Sequence, residues 1–196
     1  MLTKLKQRAQ LRLISVAASI HSLGLTPNHV SILGIAFAVL SALTYWQWKF
    51  DPFFLILAPL LMFVSGFFDA MDGAMARLHG EVTKFGGFFD SLLDRYADAL
   101  IICGIILGGL TEVYWGLAAL LGTLLVSYSR ARAEAAGVKM ESVGLAERAE
   151  RLILLALMSL LAFVWFDALN WGILVLAILT NLTVIQRVIY FYRASH

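Results

Sequence analysis

Charged residues, prolines and cysteines are all scarce in this sequence. Charged side chains make up 14% of the 196 residues, against about 25% in a typical soluble domain, and the mean hydropathy is +0.84. The single cysteine, Cys103, excludes a disulfide within the chain and a cysteine-based metal site. Three prolines and the lack of a Ser/Gly-rich linker give no sign of a domain boundary. The composition excludes an ordinary soluble domain and predicts one integral membrane domain over residues 1–196.

Apolar residues are abundant, at 61% of the total, and they are arranged in long runs. A membrane-crossing helix needs about 20 mostly apolar residues, and six segments meet this requirement. Their continuous apolarity is typical of helices, whereas the strands of a β-barrel alternate in polarity over about 10 residues. We therefore predict an all-α integral membrane protein in which residues 29–193 form a bundle of six transmembrane helices. The predicted spans are 29–48, 52–78, 86–109, 113–135, 146–166 and 170–191.

The first 25 residues have the pattern of an amphipathic helix. Apolar residues recur at helical spacing along one face, and four cations lie toward the other face. The apolar set is Leu2, Leu5, Ala9, Leu13 and Val16, and the cations are Lys4, Lys6, Arg8 and Arg12. This pattern predicts a juxtamembrane helix over residues 1–25 that lies on the cytoplasmic leaflet. Pro27 then prevents the helix from continuing.

The positions of lysine and arginine predict the orientation of the bundle. With an even number of spans both termini lie on one side, and 14 of the 15 cations fall on that side, with Lys49 as the exception. Short loops rich in lysine and arginine are typical of the cytoplasmic face. All five tryptophans flank the predicted outer loops, where such rings settle at the level of the headgroups. We expect a multi-pass protein of the cell membrane with both termini in the cytoplasm.

The segment DAMDGAMARLHGEVTKFGGFFDSLLD, residues 69–94, places four aspartates at the cytoplasmic edge of the predicted bilayer. Helical spacing puts Asp69 and Asp72 on one face at the end of span 2, and Asp90 and Asp94 on one face at the start of span 3. Carboxylates in a membrane are costly unless they face a partner or a wet cavity. Because the connecting loop is short, we expect spans 2 and 3 to be neighbours whose acidic faces meet.

Four converging carboxylates repel one another unless a multivalent cation lies between them. The set offers only oxygen donors, which favours Mg²⁺, with Mn²⁺ or Ca²⁺ as alternatives, over zinc. Four ligands are enough for two ions about 3.5–4 Å apart, the arrangement used in phosphoryl transfer. Gly73 and Gly86 beside the acidic faces would let a ligand approach the backbone, although small residues also serve helix packing in membranes.

The same segment fits the pattern D-x-x-D-G-x-x-A-R-x(8)-G-x-x-x-D-x-x-x-D at every fixed position. The matching residues are Asp69, Asp72, Gly73, Ala76, Arg77, Gly86, Asp90 and Asp94. This pattern resembles the signature of the CDP-alcohol phosphotransferases, a family of membrane enzymes with six helices. The amphipathic first helix and the TPN sequence before span 1 are similar to that family as well.

The resemblance implies a reaction and a role for each matching residue. A family member moves the phosphatidyl-type group of a CDP-linked lipid onto an alcohol and releases CMP, with two divalent ions between the aspartates and the diphosphate. The resemblance implies metal ligands at Asp69, Asp72, Asp90 and Asp94, a catalytic base at Asp94, and nucleotide contacts at Asn28, Gly73, Ala76, Arg77 and Gly86. It also implies a homodimer and gives no reason to expect a nucleic-acid partner.

The sequences SYSRARAE and ERAERL, in the second predicted cytoplasmic loop and its flanks, bear on the acceptor. They are similar to SYxKARAE and ERxERL of the phosphatidylinositol phosphate synthases, a subgroup that uses inositol phosphate, and of their archaeal counterparts. By matching position, the acceptor's phosphate would be bound by Ser127, Arg130, Arg151 and Arg187. Arg130 stands where the bacterial pattern has lysine, and an arginine also binds phosphate, in a bidentate manner. The donor would be CDP-diacylglycerol or CDP-archaeol.

Other interpretations remain open at this point. Glycerol 3-phosphate would satisfy the three arginines as well as inositol phosphate, whereas an acceptor without a phosphate would leave them without a counter-charge. Arg132, Lys139 and Arg193 are typical of cations that anchor anionic headgroups. Intramembrane acids also mark transport routes, but here they cluster near one surface and no inverted repeat is evident. A scaffold protein would not need four aspartates at fixed spacing, so the pattern favours a lipid-headgroup transferase.

Overall fold

The computed structural model describes residues 16–140 and 143–195, and the regular secondary structure within these ranges is helical. The helices are α1 (Pro27–Trp46), α2 (Phe54–His79), α3 (Lys84–Leu107), α4 (Val113–Ala135), α5 (Arg148–Ala162) and α6 (Ala168–Ser195), with a short 3₁₀ helix at Trp48–Phe50. Residues 16–22 are helical as well. The described residues contain no β-strand, so the prediction of an all-α protein is confirmed.

Three of these helices are long and apolar enough to cross a membrane, namely α1, α2 and α6. α3 has 24 residues but carries five charged side chains, at Lys84, Asp90, Asp94, Arg95 and Asp98. α5 has 15 residues, fewer than the roughly 20 that a bilayer requires. Large apolar side chains such as Phe63 and Leu157 lie exposed on the outside of the bundle. The chain is a membrane protein, and six crossings stay a prediction.

A reciprocal cap between Thr26 and His29 precedes α1. The side chain of Thr26 accepts a hydrogen bond from the backbone N–H of His29 at 3.4 Å, and the Thr26 N–H donates to Nδ1 of His29 at 3.2 Å. This reciprocal cap, with Pro27 at the first position, begins the helix at Pro27. Most of the predicted amphipathic helix, residues 1–15, lies outside the described residues.

α1 occupies a central position among the first three helices. It packs extensively against both α2 and α3, whereas direct contact between α2 and α3 is limited. A Cβ atom on Gly104 would clash with the backbone of Ala42, and one on Gly108 would clash with the Tyr45 carbonyl. These two glycines of α3 therefore let its backbone approach that of α1. The acidic segments of α2 and α3 meet because α1 contacts both helices.

The second half of the bundle holds the start of α5 in place. α4 packs against α6, and α5 packs against α6 and α2. The hydroxyl of Thr183 in α6 accepts hydrogen bonds from the backbone N–H groups of Leu145, at 3.2 Å, and Ala146, at 3.1 Å. The loop before α5 is thus fixed to α6, which places the first turn of α5 opposite the acidic parts of α2 and α3.

Candidate active site

Three of the four predicted metal ligands converge between α2 and α3. Carboxylate oxygens of Asp69, Asp90 and Asp94 all lie within 4.8 Å of one another. Asp90 and Asp94 are one helical turn apart on α3, and Asp69 faces them from α2. We call these three residues the carboxylate cluster.

The carboxylate cluster fits a hard divalent cation. It offers only oxygen donors, which Mg²⁺ and Mn²⁺ accept. An arginine partly compensates the negative charge of the cluster, since Nη1 of Arg148 lies 2.6 Å from Oδ2 of Asp69 and 2.5 Å from Oδ1 of Asp94. Arg95 adds a contact of 3.2 Å to Asp94.

Asp72, the fourth predicted ligand, lies beside the cluster with its side chain turned to α1. Its carboxylate accepts a hydrogen bond of 2.5 Å from the hydroxyl of Ser31, and the residue is 4% exposed. Asp72 lines the same narrow cleft as the three cluster residues. Its role as a metal ligand therefore stays a prediction that requires the carboxylate to leave Ser31 or to share its oxygens.

A cavity of about 470 Å³ opens beside the cluster. All five residues predicted to contact a nucleotide line it, namely Asn28, Gly73, Ala76, Arg77 and Gly86. Asp72 and Asp90 line both this space and the cleft of the carboxylate cluster. We call the cavity of about 470 Å³ the glycine-lined cavity. It adjoins the cleft of the predicted metal ligands, because Asp72 and Asp90 line both spaces.

The two glycines keep this cavity open. A Cβ atom on Gly73 would lie 3.2 Å from Nη1 of Arg77, and one on Gly86 would lie 3.0 Å from Oγ1 of Thr83. Thr83 caps α3 by accepting a hydrogen bond from the N–H of Gly86 at 2.9 Å. A side chain at either glycine would therefore crowd a residue that lines the cavity.

A second cavity, of about 280 Å³, lies on the other side of Asp94. All four residues predicted to bind the acceptor's phosphate line it, namely Ser127, Arg130, Arg151 and Arg187. Arg95 and Arg148 line it too. We call it the basic cavity, since five guanidinium groups surround it. Asp94 lines both the basic cavity and the cleft of the carboxylate cluster.

Two of these arginines are buried and held by specific partners. Arg151 is 5% exposed and donates to Oδ2 of Asp98 at 2.7 Å and to the Ala146 carbonyl at 3.2 Å. Arg187 is 3% exposed and donates to the Val143 carbonyl at 2.8 Å and to the Val126 carbonyl. Buried cations with few carboxylate partners are suited to binding an anion.

Comparison with known proteins identifies the family. The family model for CDP-alcohol phosphatidyltransferases matches residues 24–185. The chain belongs to this family.

Individual members of the family are similar over almost the whole chain. Archaetidylinositol phosphate synthase of Pyrococcus horikoshii is 41% identical over 188 residues, which cover 96% of this phosphatidyltransferase and 95% of that protein. The crystal structure of phosphatidylinositol phosphate synthase from Mycobacterium tuberculosis with CDP-DAG bound matches with a TM-score of 0.82, at 31% identity, and the match covers 92% of this chain and 93% of that one. The same enzyme in complex with manganese and citrate matches with a TM-score of 0.80, at 31% identity, covering 92% and 88% of the two chains.

These matches confirm the resemblance stated from the signature. This phosphatidyltransferase is a transferase of phospholipid synthesis. They give no support to the transporter and scaffold hypotheses.

Sequence reasoning missed two residues that the structure places in the site of this phosphatidyltransferase. Ser31 holds Asp72, and Arg148 contacts two residues of the carboxylate cluster. Each had a weak signal in the sequence: Ser31 follows Asn28 by three residues, and Arg148 precedes Arg151 by three, so each shares a helical face with a predicted site residue. Asp98, which pairs with Arg151, lies one turn after Asp94.

Proposed function

We propose that this phosphatidyltransferase moves the lipid phosphate group of a CDP-linked lipid onto a hydroxyl of inositol phosphate and releases CMP. The observation that carries this proposal is that Asp94 belongs to the carboxylate cluster and also lines the basic cavity. An acceptor whose phosphate lies among the arginines would present a hydroxyl group to Asp94.

In the proposed reaction the acceptor oxygen forms a bond to the phosphorus that carries the lipid. The bond between that phosphorus and the oxygen of CMP breaks, and CMP leaves with the bonding electron pair. The carboxylate of Asp94 takes the proton of the attacking hydroxyl. General base catalysis of this kind contributes about 10²–10⁴ in rate.

We propose two Mg²⁺ ions as the physiological cofactors, with Mn²⁺ as an alternative. The ligands of these ions would be Asp69, Asp72, Asp90 and Asp94. The bound ions would neutralise the negative charge of the diphosphate and of the CMP leaving group. The manganese in the M. tuberculosis structure supports a divalent ion. Asp69, Asp72 and Asp90 would thereby fix where the diphosphate lies relative to Asp94.

The glycine-lined cavity is the proposed site for the cytidine diphosphate part of the donor. Gly73, Ala76 and Gly86 offer a surface without large side chains, and Arg77 and Asn28 add polar groups at its rim. The structural relative with CDP-DAG bound supports a CDP-linked lipid as donor. CDP-archaeol and CDP-diacylglycerol share this headgroup, so the cavity accepts the chemistry common to both.

The basic cavity is the proposed site for the acceptor's phosphate. Arg130, Arg151 and Arg187 supply positive charge and Ser127 supplies a hydroxyl donor. Relatives named for inositol phosphate support this acceptor over others that carry a phosphate. Inositol or serine would leave buried Arg187, which donates to two backbone carbonyls, without a counter-charge, and an unpaired buried cation is costly.

We also propose that both termini and the two cavities face the cytoplasm from the cell membrane. The excess of lysine and arginine on one side of the predicted spans supports this orientation. The six crossings and the homodimer implied by the family resemblance are part of the same proposal.

The test is an acceptor panel with purified protein. CDP-archaeol or CDP-diacylglycerol is incubated with Mg²⁺ and with inositol 1-phosphate, glycerol 3-phosphate, inositol or serine, and CMP release is followed. We expect CMP release with inositol 1-phosphate at least tenfold above the other acceptors, with Asp94→Asn as the negative control. Faster release with glycerol 3-phosphate would identify a glycerol-phosphate transferase, and faster release with inositol or serine would refute the assignment of the basic cavity.

A further inference from the structure

Arg148, at the start of α5, belongs to both halves of the site. Its Nη1 atom contacts Asp69 and Asp94 of the carboxylate cluster at 2.6 and 2.5 Å. The same residue lines the basic cavity together with Arg130, Arg151 and Arg187. It is therefore the one described arginine that contacts two members of the cluster and also borders the proposed acceptor site.

The guanidinium of Arg148 and a divalent cation compete for the same carboxylates. Mg²⁺ binds carboxylate oxygens at about 2.0–2.1 Å and Ca²⁺ at about 2.3–2.6 Å, so an ion among Asp69, Asp90 and Asp94 would occupy the space that Nη1 fills. The two cations would also repel each other strongly at such a distance in a partly buried site. Cation binding at the cluster therefore requires Arg148 to move.

The present contacts of Arg148 are incomplete on the side away from the cluster. Its Nε atom is buried and, among the residues that the structure describes, has no hydrogen-bond partner. The carboxylate of Asp98 lies close to it, with Oδ1 at 3.5 Å. A buried donor without an acceptor is unfavourable, and an anion in the adjoining basic cavity would offer new acceptors to this guanidinium.

We propose that Arg148 alternates between two positions and so couples cation binding to acceptor binding. Before a divalent cation binds, Arg148 neutralises Asp69 and Asp94; after it binds, Arg148 turns into the basic cavity and becomes a further ligand of the acceptor's phosphate. Both the cation and the anion select the second position, so each strengthens the binding of the other. Arg148 is thus a binding residue for the acceptor that becomes available once the cluster holds its cation. This inference rests on the proposed function for the identity of the acceptor.

The experiment measures Mn²⁺ binding by purified protein in detergent, from the electron paramagnetic resonance signal of free Mn²⁺, with and without saturating sulfate. Sulfate is used as a tetrahedral dianion that stands in for the acceptor's phosphate. We expect sulfate to tighten Mn²⁺ binding by the wild-type protein about fivefold or more, within the usual range of coupling between sites. Arg148→Gln should bind Mn²⁺ more tightly than wild type without sulfate, and sulfate should change its affinity less than twofold.

Arg130→Gln is the matched control, because Arg130 lines the same cavity but contacts Glu134, at 2.8 Å, and not the cluster. It should need more sulfate for saturation and yet keep the coupling. Coupling of wild-type size in Arg148→Gln, or loss of coupling in both variants alike, would overturn the proposal. If Arg148→Gln does not fold, Arg148→Lys replaces it, because a single ammonium group competes with Mn²⁺ for the carboxylates less well than a guanidinium does. Arg148→Lys should bind Mn²⁺ more tightly than wild type and show weaker coupling to sulfate. Wild-type values for both would overturn the proposal.

The outcome is separable from that of the acceptor panel. Coupling between Mn²⁺ and sulfate in wild type, with its loss in Arg148→Gln, is expected whichever phosphorylated acceptor proves productive. A different acceptor would correct the proposed function and leave the exchange of Arg148 intact.

Discussion

Replacement of Asp98 by asparagine tests how the basic cavity is held in shape. Asp98 is 9% exposed and accepts the hydrogen bond of 2.7 Å from Arg151, which is itself 5% exposed. Asparagine has the same shape and keeps one carbonyl acceptor, but it removes the negative charge. We expect Asp98→Asn to raise the KM for inositol phosphate and to leave the KM for the CDP-linked lipid within about twofold.

The magnitude follows from the type of bond that is lost. Asparagine still accepts a hydrogen bond from the charged guanidinium, so the ion pair is what is lost. Hydrogen bonds that involve a charged group contribute about 1.5–3 kcal/mol, and we expect the exchange to cost roughly 1–2 kcal/mol in the positioning of Arg151. A cost of this size corresponds to a loss of about 5–30-fold in kcat/KM for the acceptor. The uncompensated charge of Arg151 also lowers the folding stability. We expect this loss to approach the roughly 3–5 kcal/mol seen when one member of a buried pair is removed.

The assay is CMP release at fixed Mg²⁺, with each substrate varied in turn, together with thermal unfolding in detergent. Asp167→Asn is the matched control, because Asp167 is exposed and lies beyond the far end of α5, a helix about 22 Å long that begins at Arg148. This control variant should leave the KM for each substrate and the unfolding temperature unchanged. An unchanged acceptor KM in Asp98→Asn, or an equal rise for both substrates, would refute the role given to the Asp98–Arg151 pair.

Three further predictions address the rest of the site. Asp94→Asn should lower kcat by about 10²–10⁴-fold while Mn²⁺ and the CDP-linked lipid still bind; full activity, measured as CMP release, would exclude Asp94 as the base. Removal of divalent cations by EDTA should abolish CMP release, and added Mg²⁺ or Mn²⁺ should restore it; turnover that survives thorough chelation would contradict the assignment of the carboxylate cluster. Gly73→Val should raise the KM for the CDP-linked lipid at least fivefold, because its Cβ would lie 3.2 Å from Nη1 of Arg77 in the glycine-lined cavity. The KM for the acceptor is the internal reference. A change in the acceptor KM alone would show that the nucleotide binds elsewhere.

Much of the site follows from helical spacing, which the sequence displays directly. Asp90 and Asp94 are four residues apart and so lie on one face of α3, and the short loop from α2 brings Asp69 within reach. Helical spacing also placed Gly73 and Gly86 beside the acidic faces, whereas Asn28 was expected to reach the same cavity only from the family resemblance. Residues of fixed spacing on helices keep their relation to one another whatever the rest of the bundle does.

Contacts between distant helices were not predictable in this way. Arg148 lies 79 residues from Asp69 in the chain, and its position depends on how Thr183 of α6 fixes the loop before α5. The prediction that α2 and α3 pack side by side was incomplete, since α1 packs more closely against each of them than they do against one another. The length of α5 also differs from its predicted span, 148–162 against 146–166, because the apolar run in the sequence continues past the point where the helix ends.

The two cavities draw on different stretches of the chain, and this has a consequence for how the enzyme can diversify. The glycine-lined cavity uses residues between Thr26 and Asp90, and the basic cavity uses residues between Asp94 and Arg187. A hybrid protein joined at the turn between α3 and α4 would combine the proposed nucleotide site of one homologue with most of the proposed acceptor site of another. Where both homologues carry the acidic partner of Arg151 at the position of Asp98, acceptor preference should travel with the second segment, so that exchange of one contiguous piece redirects the product.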